Sequence, residues 1–171
     1  MTSPFPGLRE FQQADADRIG AVALAAFDEF KVHYSDWPAM AAILGNIAGL
    51  AQTGELIVAE IEGRIVGAVA YVPPWQPKAA YFQREWPVIR MLVVDPSSRG
   101  NGVGRALTQE CIARAGRDRS PVVALHTSPI MNIALPMYLR MGFHWVHDAP
   151  PIFGVSYAVY LKHLASCAGP S

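Results

Sequence analysis

Hydrophobic positions change their spacing several times along the chain, and each change marks an element. Residues 8–11 read as a short first strand. From Ile19 the apolar positions Val22, Ala23, Ala26, Phe27 and Phe30 recur at steps of three and four, which places them on one helical stripe. Pro38 can open a second helix, and Met40, Ile43, Leu44, Ile47 and Ala51 keep helical spacing until about Gly54. Beyond Glu55 the pattern becomes β-rich. Residues 56–61 and 65–72 flank a turn at Glu62 and Gly63, which predicts a hairpin, and Pro73 and Pro74 stop its second strand.

Residues 75–86 are rich in proline, aromatics and charge. The stretch 88–94 is then almost continuously apolar, broken by Arg90 alone, and reads as a strand covered on both faces. A turn-rich loop over 95–104 leads into a helix reaching about Asp118, marked by Val103, Ala106, Leu107 and Cys111. A strand at 122–125, a helix near 131–141 ended by Gly142, and strands at 143–147 and 152–161 complete the pattern. The segment after His163 reads as a loose tail. No repeat or linker divides the chain, so a single domain is expected over residues 1–171, with a core at 8–162 and a tail at 163–171.

Composition narrows the function classes. The 171 residues are 51% hydrophobic, enough for one packed core. Fourteen basic residues balance fourteen acidic ones, so an anionic ligand must be held by local donors, and no nucleic acid is expected as a partner. Cys111 and Cys167 allow one bridge at most, show no metal-ligand spacing, and fit a reducing cytoplasm. No signal-length apolar run opens the chain. Residues 39–51 are interrupted by Gly45, Asn46 and Gly49 and fall short of the roughly 20 needed for a bilayer, so no membrane partner is expected either. A homodimer is left open.

Three glycines in five residues, Gly100, Gly102 and Gly104, stand between a covered strand and a helix. Each glycine costs roughly 0.5–1 kcal/mol in regular structure, so the loop implies a tight turn or close approach to a ligand. At a helix N-terminus, amides without intrahelical partners and the positive dipole end can seat a phosphate, and Arg99 and Arg105 add charged donors. No GxxxxGK followed by Ser or Thr is present, and GxGxxG fails because Arg105 or Leu107 occupies its last position. A plain tight connection is the alternative reading of the glycines.

The run Arg99-Gly100-Asn101-Gly102-Val103-Gly104-Arg105-Ala106-Leu107 follows Leu92-Val93-Val94-Asp95-Pro96. About thirty residues later comes Met137-Tyr138-Leu139-Arg140-Met141-Gly142-Phe143. Together these blocks resemble the GCN5-related N-acetyltransferase (GNAT) family, and the element order β-α-α-β-β-β-α-β-α-β-β extends the resemblance over nearly the whole chain. It implies an α/β domain with a mixed, mostly antiparallel central sheet, splayed between strands 4 and 5, and helices on both faces. Acetyl-CoA would lie in the opening. The amides of Arg99, Gly100, Asn101, Gly102, Val103 and Gly104, with Arg105, would cradle its pyrophosphate, and backbone groups of Leu92, Val93 and Val94 would pair with its pantetheine arm. A parted strand does leave N–H and C=O groups in need of partners.

The implied chemistry is direct attack of a primary amine, from a small molecule, on acetyl-CoA in a ternary complex. A lysine-like amine with a pKa near 10.4 must lose a proton at a deficit of about 4–5 kcal/mol at neutral pH, so a base or water relay is needed. Tyr138 matches the family position of the acid that protonates the departing thiolate, although packing near Phe143 would also account for a tyrosine there. The base position departs from the family. Where many members carry a glutamate, Val88 stands, leaving Glu85 and His126 as candidates, each also explicable as an ordinary loop carboxylate or structural histidine. Met131 likewise stands where members often carry a cofactor-contacting Asn, and Asn132 is offset by one residue. Phe27, Phe30, Tyr34, Trp37 and Trp86, with nearby carboxylates, are candidates for holding an amine as its cation. No metal is called for. The alternatives are acetylation of a peptide or protein N-terminus or lysine, and a noncatalytic acyl-CoA sensor.

Overall fold

The computed structural model describes residues 7–165. Its architecture follows from alternation along two strands. In β2, Glu55–Ile61, Leu56 and Val58 face one side while Ile57 and Ala59 face the other; in β3, Arg64–Val72, Ala68 and Ala70 oppose Val69 and Tyr71 in the same way. Both sets are buried, so both faces of the sheet need a helical cover. Helices α1, Ala16–Phe27, and α2, Trp37–Gly45, close one face through Ile19, Val22, Ala23 and Leu44. Helix α3, Val103–Arg117, closes the other through Val103, Leu107 and Cys111, and α4, Ala134–Arg140, adds Tyr138 there.

The sheet has seven strands in the order β1-β2-β3-β4-β5-β7-β6, with β1 at Gly7–Glu10, β4 at Val88–Val94, β5 at Val122–Thr127, β6 at His144–Ile152 and β7 at Val155–His163. Every neighbouring pair is antiparallel except β4 and β5. That parallel pair holds at two rungs, Val88 with Ala124 and Ile89 with Leu125, and the strands then part. This is the mixed, splayed sheet that the family resemblance implies. Within β4 the register to β3 jumps from Arg90 opposite Ala70 to Val93 opposite Ala68, so Met91 and Leu92 together face Val69. Met91 takes a positive φ of 55°, and the bulge re-aims the strand just where it separates from β5.

Several boundaries differ from the sequence pattern. The first helical stripe stops at Phe27 and continues as a 3₁₀ segment, Asp28–His33, so Phe30 belongs to a tighter turn. The second helix ends at Gly45, and the apolar run continues as a 3₁₀ segment, Ile47–Gln52. The α4 boundary is soft, since helix-type bonds already join Leu135 N–H to Met131 O and Met137 N–H to Ile133 O. The first closing strand, β6, is longer than expected and runs through Pro150 and Pro151 because it lies at the sheet edge, where a missing N–H is tolerated, while the second is shifted to Val155–His163. In the expected tail, β7 extends to His163, and residues 166–171, including Cys167, lie outside the described residues.

Candidate active site

Loop 95–102 is shaped by its own short-range bonds. Asp95 accepts from the Ser97 amide at 3.0 Å and the Ser97 hydroxyl at 2.8 Å, and Arg18 of α1 donates to it at 3.0 Å. These contacts, with the Ser97 hydroxyl leading, hold the Asp95 carboxyl below the usual carboxylate range against the opposing effect of burial. Asn101 donates to Ser98 O at 3.1 Å, bracing the turn from inside. Gly100 and Gly102 adopt φ of 86° and 74°, a region costly to other residues, and Gly102 caps α3 in that conformation. The first bond inward is Ala106 N–H to Gly102 O at 3.0 Å, so the earlier amides of the helix open outward.

Those amides face a cavity of about 300 Å³. Its floor is the loop itself, with Arg99, Gly100, Gly102, Val103, Gly104 and Arg105. One wall is the bulged end of β4, through Leu92 and Val94, and a second is Phe27 and Phe30 at the end of α1. The third wall comes from the α4 region, with Met131, Ala134, Met137 and Arg140. The lining differs in chemistry: Arg99 and Arg105 flank the amides, Arg140 stands on the α4 wall, Glu29 is the acidic member, and leucine, valine, methionine and phenylalanine line the remainder. Arg99 is hydrogen-bonded to Glu29, so the loop is tied to the 3₁₀ segment after α1.

A second cluster occupies the fork where β4 and β5 separate. His126 Nδ1 lies 3.1 Å from the Tyr81 hydroxyl, and the two rings stack with centroids 5.5 Å apart. Phe82 meets the imidazole edge-on at 5.9 Å and Tyr157 lies at 5.2 Å. Tyr157 shares a 2.6 Å hydroxyl contact with Tyr34, whose ring in turn leans on Trp37 at 6.2 Å. Burial, reinforced by the Arg90 charge, pushes His126 down to about 4, so the ring is neutral at pH 7. Burial raises Tyr34, Tyr81 and Tyr157 above the ordinary phenol value, which keeps all three protonated.

The sequence profile of the acetyltransferase (GNAT) family matches residues 18–143, most of the chain and all of the elements that build this cavity. The chain belongs to the GNAT family. Among curated relatives, N-acetyltransferase family 8 member 3 of Rattus norvegicus and N-acetyltransferase 8B of Mus musculus are each 35% identical over 86 residues, covering 50% of this chain and 36% of each relative. The chain thus matches little more than a third of the length of those relatives. A GCN5-related N-acetyltransferase structure from Rhodopseudomonas palustris superposes with a TM-score of 0.75 at 21% identity, covering 96% of this chain and 99% of the other. The protein yncA of Salmonella typhimurium, solved with its cofactor acetyl-CoA, superposes with a TM-score of 0.65 at 19% identity, over 96% and 97% of the two chains.

Within this GNAT domain, eight of the ten cofactor candidates line the cavity. The others are Asn101, which braces the loop, and Val93, whose side chain is buried under α1. Phe27 and Phe30, expected for the amine, stand at the same cavity, packed edge-on at 5.9 Å. Tyr34 and Trp37 belong to the fork cluster instead, and Trp86 packs against a third apolar cluster that includes Val72, Phe82 and Val88. Glu85 lies on an exposed turn before β4. Tyr138 is buried against Phe143 at 5.6 Å, and burial raises its hydroxyl pKa. That hydroxyl makes no hydrogen bond among the described residues, and Tyr138 packs in the α3-side core behind Met137 instead of lining the cavity itself. Sequence reasoning missed Met137 and Arg140, and it offered Glu29 to an ammonium, whereas Glu29 pairs with Arg99. The spacing of Met131, Ala134 and Met137 at three-residue steps was the available signal for a shared face. Among the described residues no group of three or more His, Cys, Asp or Glu is placed to hold a metal, and no helix is long and apolar enough to cross a membrane.

Proposed function

We propose that this chain moves an acetyl group from acetyl-CoA to a primary amine of a small molecule, by direct attack within a ternary complex. The observation that carries this reading is the convergence, at one cavity, of an opened helix N-terminus with three arginines and an apolar channel beside a parted strand. These residues fit coenzyme A. The amides from Gly102 onward, with Arg99, Arg105 and Arg140, suit its phosphates, while Leu92, Val94, Met131 and Met137 suit its uncharged arm. When bound, acetyl-CoA supplies an acetyl carbon activated as a thioester.

The remaining tasks fall to the chain. Beyond Ile89 the edge of β4 toward β5 offers main-chain groups that an extended ligand can satisfy. Tyr138, protonated at neutral pH and next to the cavity-lining Met137, is the group we assign to protonate the departing sulfur. His126 is neutral and so free to accept a proton, but a pKa of about 4 makes it a weak base, and a relay through Tyr81 and water suits it better than full deprotonation of an ammonium. The 73–87 connection lays Tyr81 and Phe82 over the fork, an enclosure that supports a small acceptor over an open peptide groove.

The test is release of free coenzyme A with a broad panel of amines that includes peptides. Turnover on small amines supports the reading, and turnover confined to peptides replaces it with the protein-acetylating alternative. Coenzyme A binding without turnover on any acceptor leaves a sensor.

A further inference from the structure

Arg90 is a cation that neither the cavity nor the folding core employs. Its position is set by register. Val88 with Ala124 and Ile89 with Leu125 are the last rungs joining β4 to β5, and the next residues are Arg90 on one strand and His126 on the other. Arg90 lies opposite Ala70, which faces the α1 side of the sheet, so its side chain emerges on that same side, away from α3. It is half-buried beside His126 and Tyr81, and its charge acts on both of them. Among the described residues it joins no ion pair and no side-chain hydrogen bond. No side-chain nitrogen there is both sealed and unpartnered, so its donors are not closed off by the core.

The carboxylates that the sequence pattern offers for an ammonium are occupied elsewhere. Asp28 pairs with Lys31, Glu29 with Arg99, Asp36 caps α2 by accepting from the Ala39 amide, and Glu85 stands on an exposed turn near Lys78. The groups gathered at the fork are a neutral imidazole, three protonated tyrosines and one guanidinium. Such a site has little to attract a plain cation. It has a planar pair of donors suited to a carboxylate.

We infer that the acceptor is an amine that also carries a carboxylate, held by Arg90 at the fork so that its amino group is presented toward the cavity. The inference rests on the acetyl-transfer reading and names its substrate class. Bound there, the carboxylate would offset the Arg90 charge that His126 experiences, so the proper substrate would make the imidazole a better proton acceptor.

The test compares amino acids with their decarboxylated amines, such as phenylalanine with phenethylamine and methionine with 3-(methylthio)propylamine. Each is assayed for turnover and, by calorimetry, for binding to the protein loaded with coenzyme A. The wild type is expected to favour the carboxylated member of a pair at least tenfold, the scale of a charge-assisted bidentate contact. Arg90→Gln is expected to erase that preference through KM more than kcat, and Arg90→Lys to keep part of it, with coenzyme A affinity serving as the check on folding. Equal use or equal binding of both members by the wild type overturns the inference, as does an undiminished preference in Arg90→Gln. If no amine turns over, the acetyl-transfer reading fails by itself, while carboxylate-dependent heat that vanishes in Arg90→Gln still supports the anion site and its absence overturns it.

Discussion

Replacing His126 with Gln should remove a defined part of the protein's acid sensitivity. Burial first, and the Arg90 charge second, hold His126 at about 4 in the folded chain against 6.5 when unfolded. The unfolded state therefore takes up the proton first. The stability tied to the neutral ring is intact above pH 6.5, declines as the pH falls, and is fully lost below about 4. At roughly 1.4 kcal/mol per pH unit, the interval amounts to about 3 kcal/mol. Urea unfolding of both proteins between about pH 7.5 and 4.5, with a common m-value, reads this directly. At the upper end Gln should be about 1 kcal/mol less stable, since it replaces the stacked ring that contacts the Tyr81 hydroxyl. Towards the acid end the difference should shrink and then invert. Carboxyls such as Asp15, Asp95 and Glu55 titrate in both proteins alike and cancel in the comparison. Stability curves that stay parallel across the range would refute the assignment of a buried, neutral His126.

Other expectations follow from the same contacts. Gly102→Ala forces an alanine to φ 74°, a strain of about 1–2 kcal/mol, and calorimetry should show coenzyme A affinity reduced about tenfold, with global stability changed by no more than that strain. Tyr138→Phe should lower kcat while leaving coenzyme A affinity near wild type; an unchanged kcat removes the acid assignment. Arg114 reaches Glu55 at 2.7 Å and Glu110 at 2.8 Å and also pairs with Glu10, so Arg114→Ala should destabilise by about 2 kcal/mol in urea unfolding at pH 7. Part of that penalty should fade in acid, because Glu55, held below its ordinary value by Arg117 and then Arg114, contributes only above its folded pKa.

The covered strand 88–94, the glycine loop and helix α3 were legible because each is dictated locally, by continuous apolarity, by glycines whose φ no other residue adopts cheaply, and by a helical stripe. Phe27 and Phe30 were read as part of a ligand wall and do reach the cavity, although the sequence could not say that the wall belongs with the phosphate loop. Arg140 escaped notice, and Glu29 was offered to the amine instead of to Arg99, because both contacts arise from tertiary approach of α4 and the 3₁₀ segment to the loop. The aromatic enclosure of His126 draws Tyr81 and Phe82 from a segment without periodicity and Tyr157 from a distant strand, so no local pattern could assemble it. Arg90 was visible as an interruption, and its meaning depended on knowing where β5 stops pairing.

The extra residue in β4 gives that strand two allegiances. Before Met91 the strand turns Arg90 toward His126 and Tyr81, the proposed acceptor side, and after it Leu92 and Val94 line the cavity. Deleting one residue there would trade inside for outside along the rest of the strand, whereas altering side chains upstream of it leaves the downstream wall in place. On the proposed reading, variation in what is accepted can therefore accumulate by substitution on one half, while the length of the segment stays fixed by the half that lines the cavity.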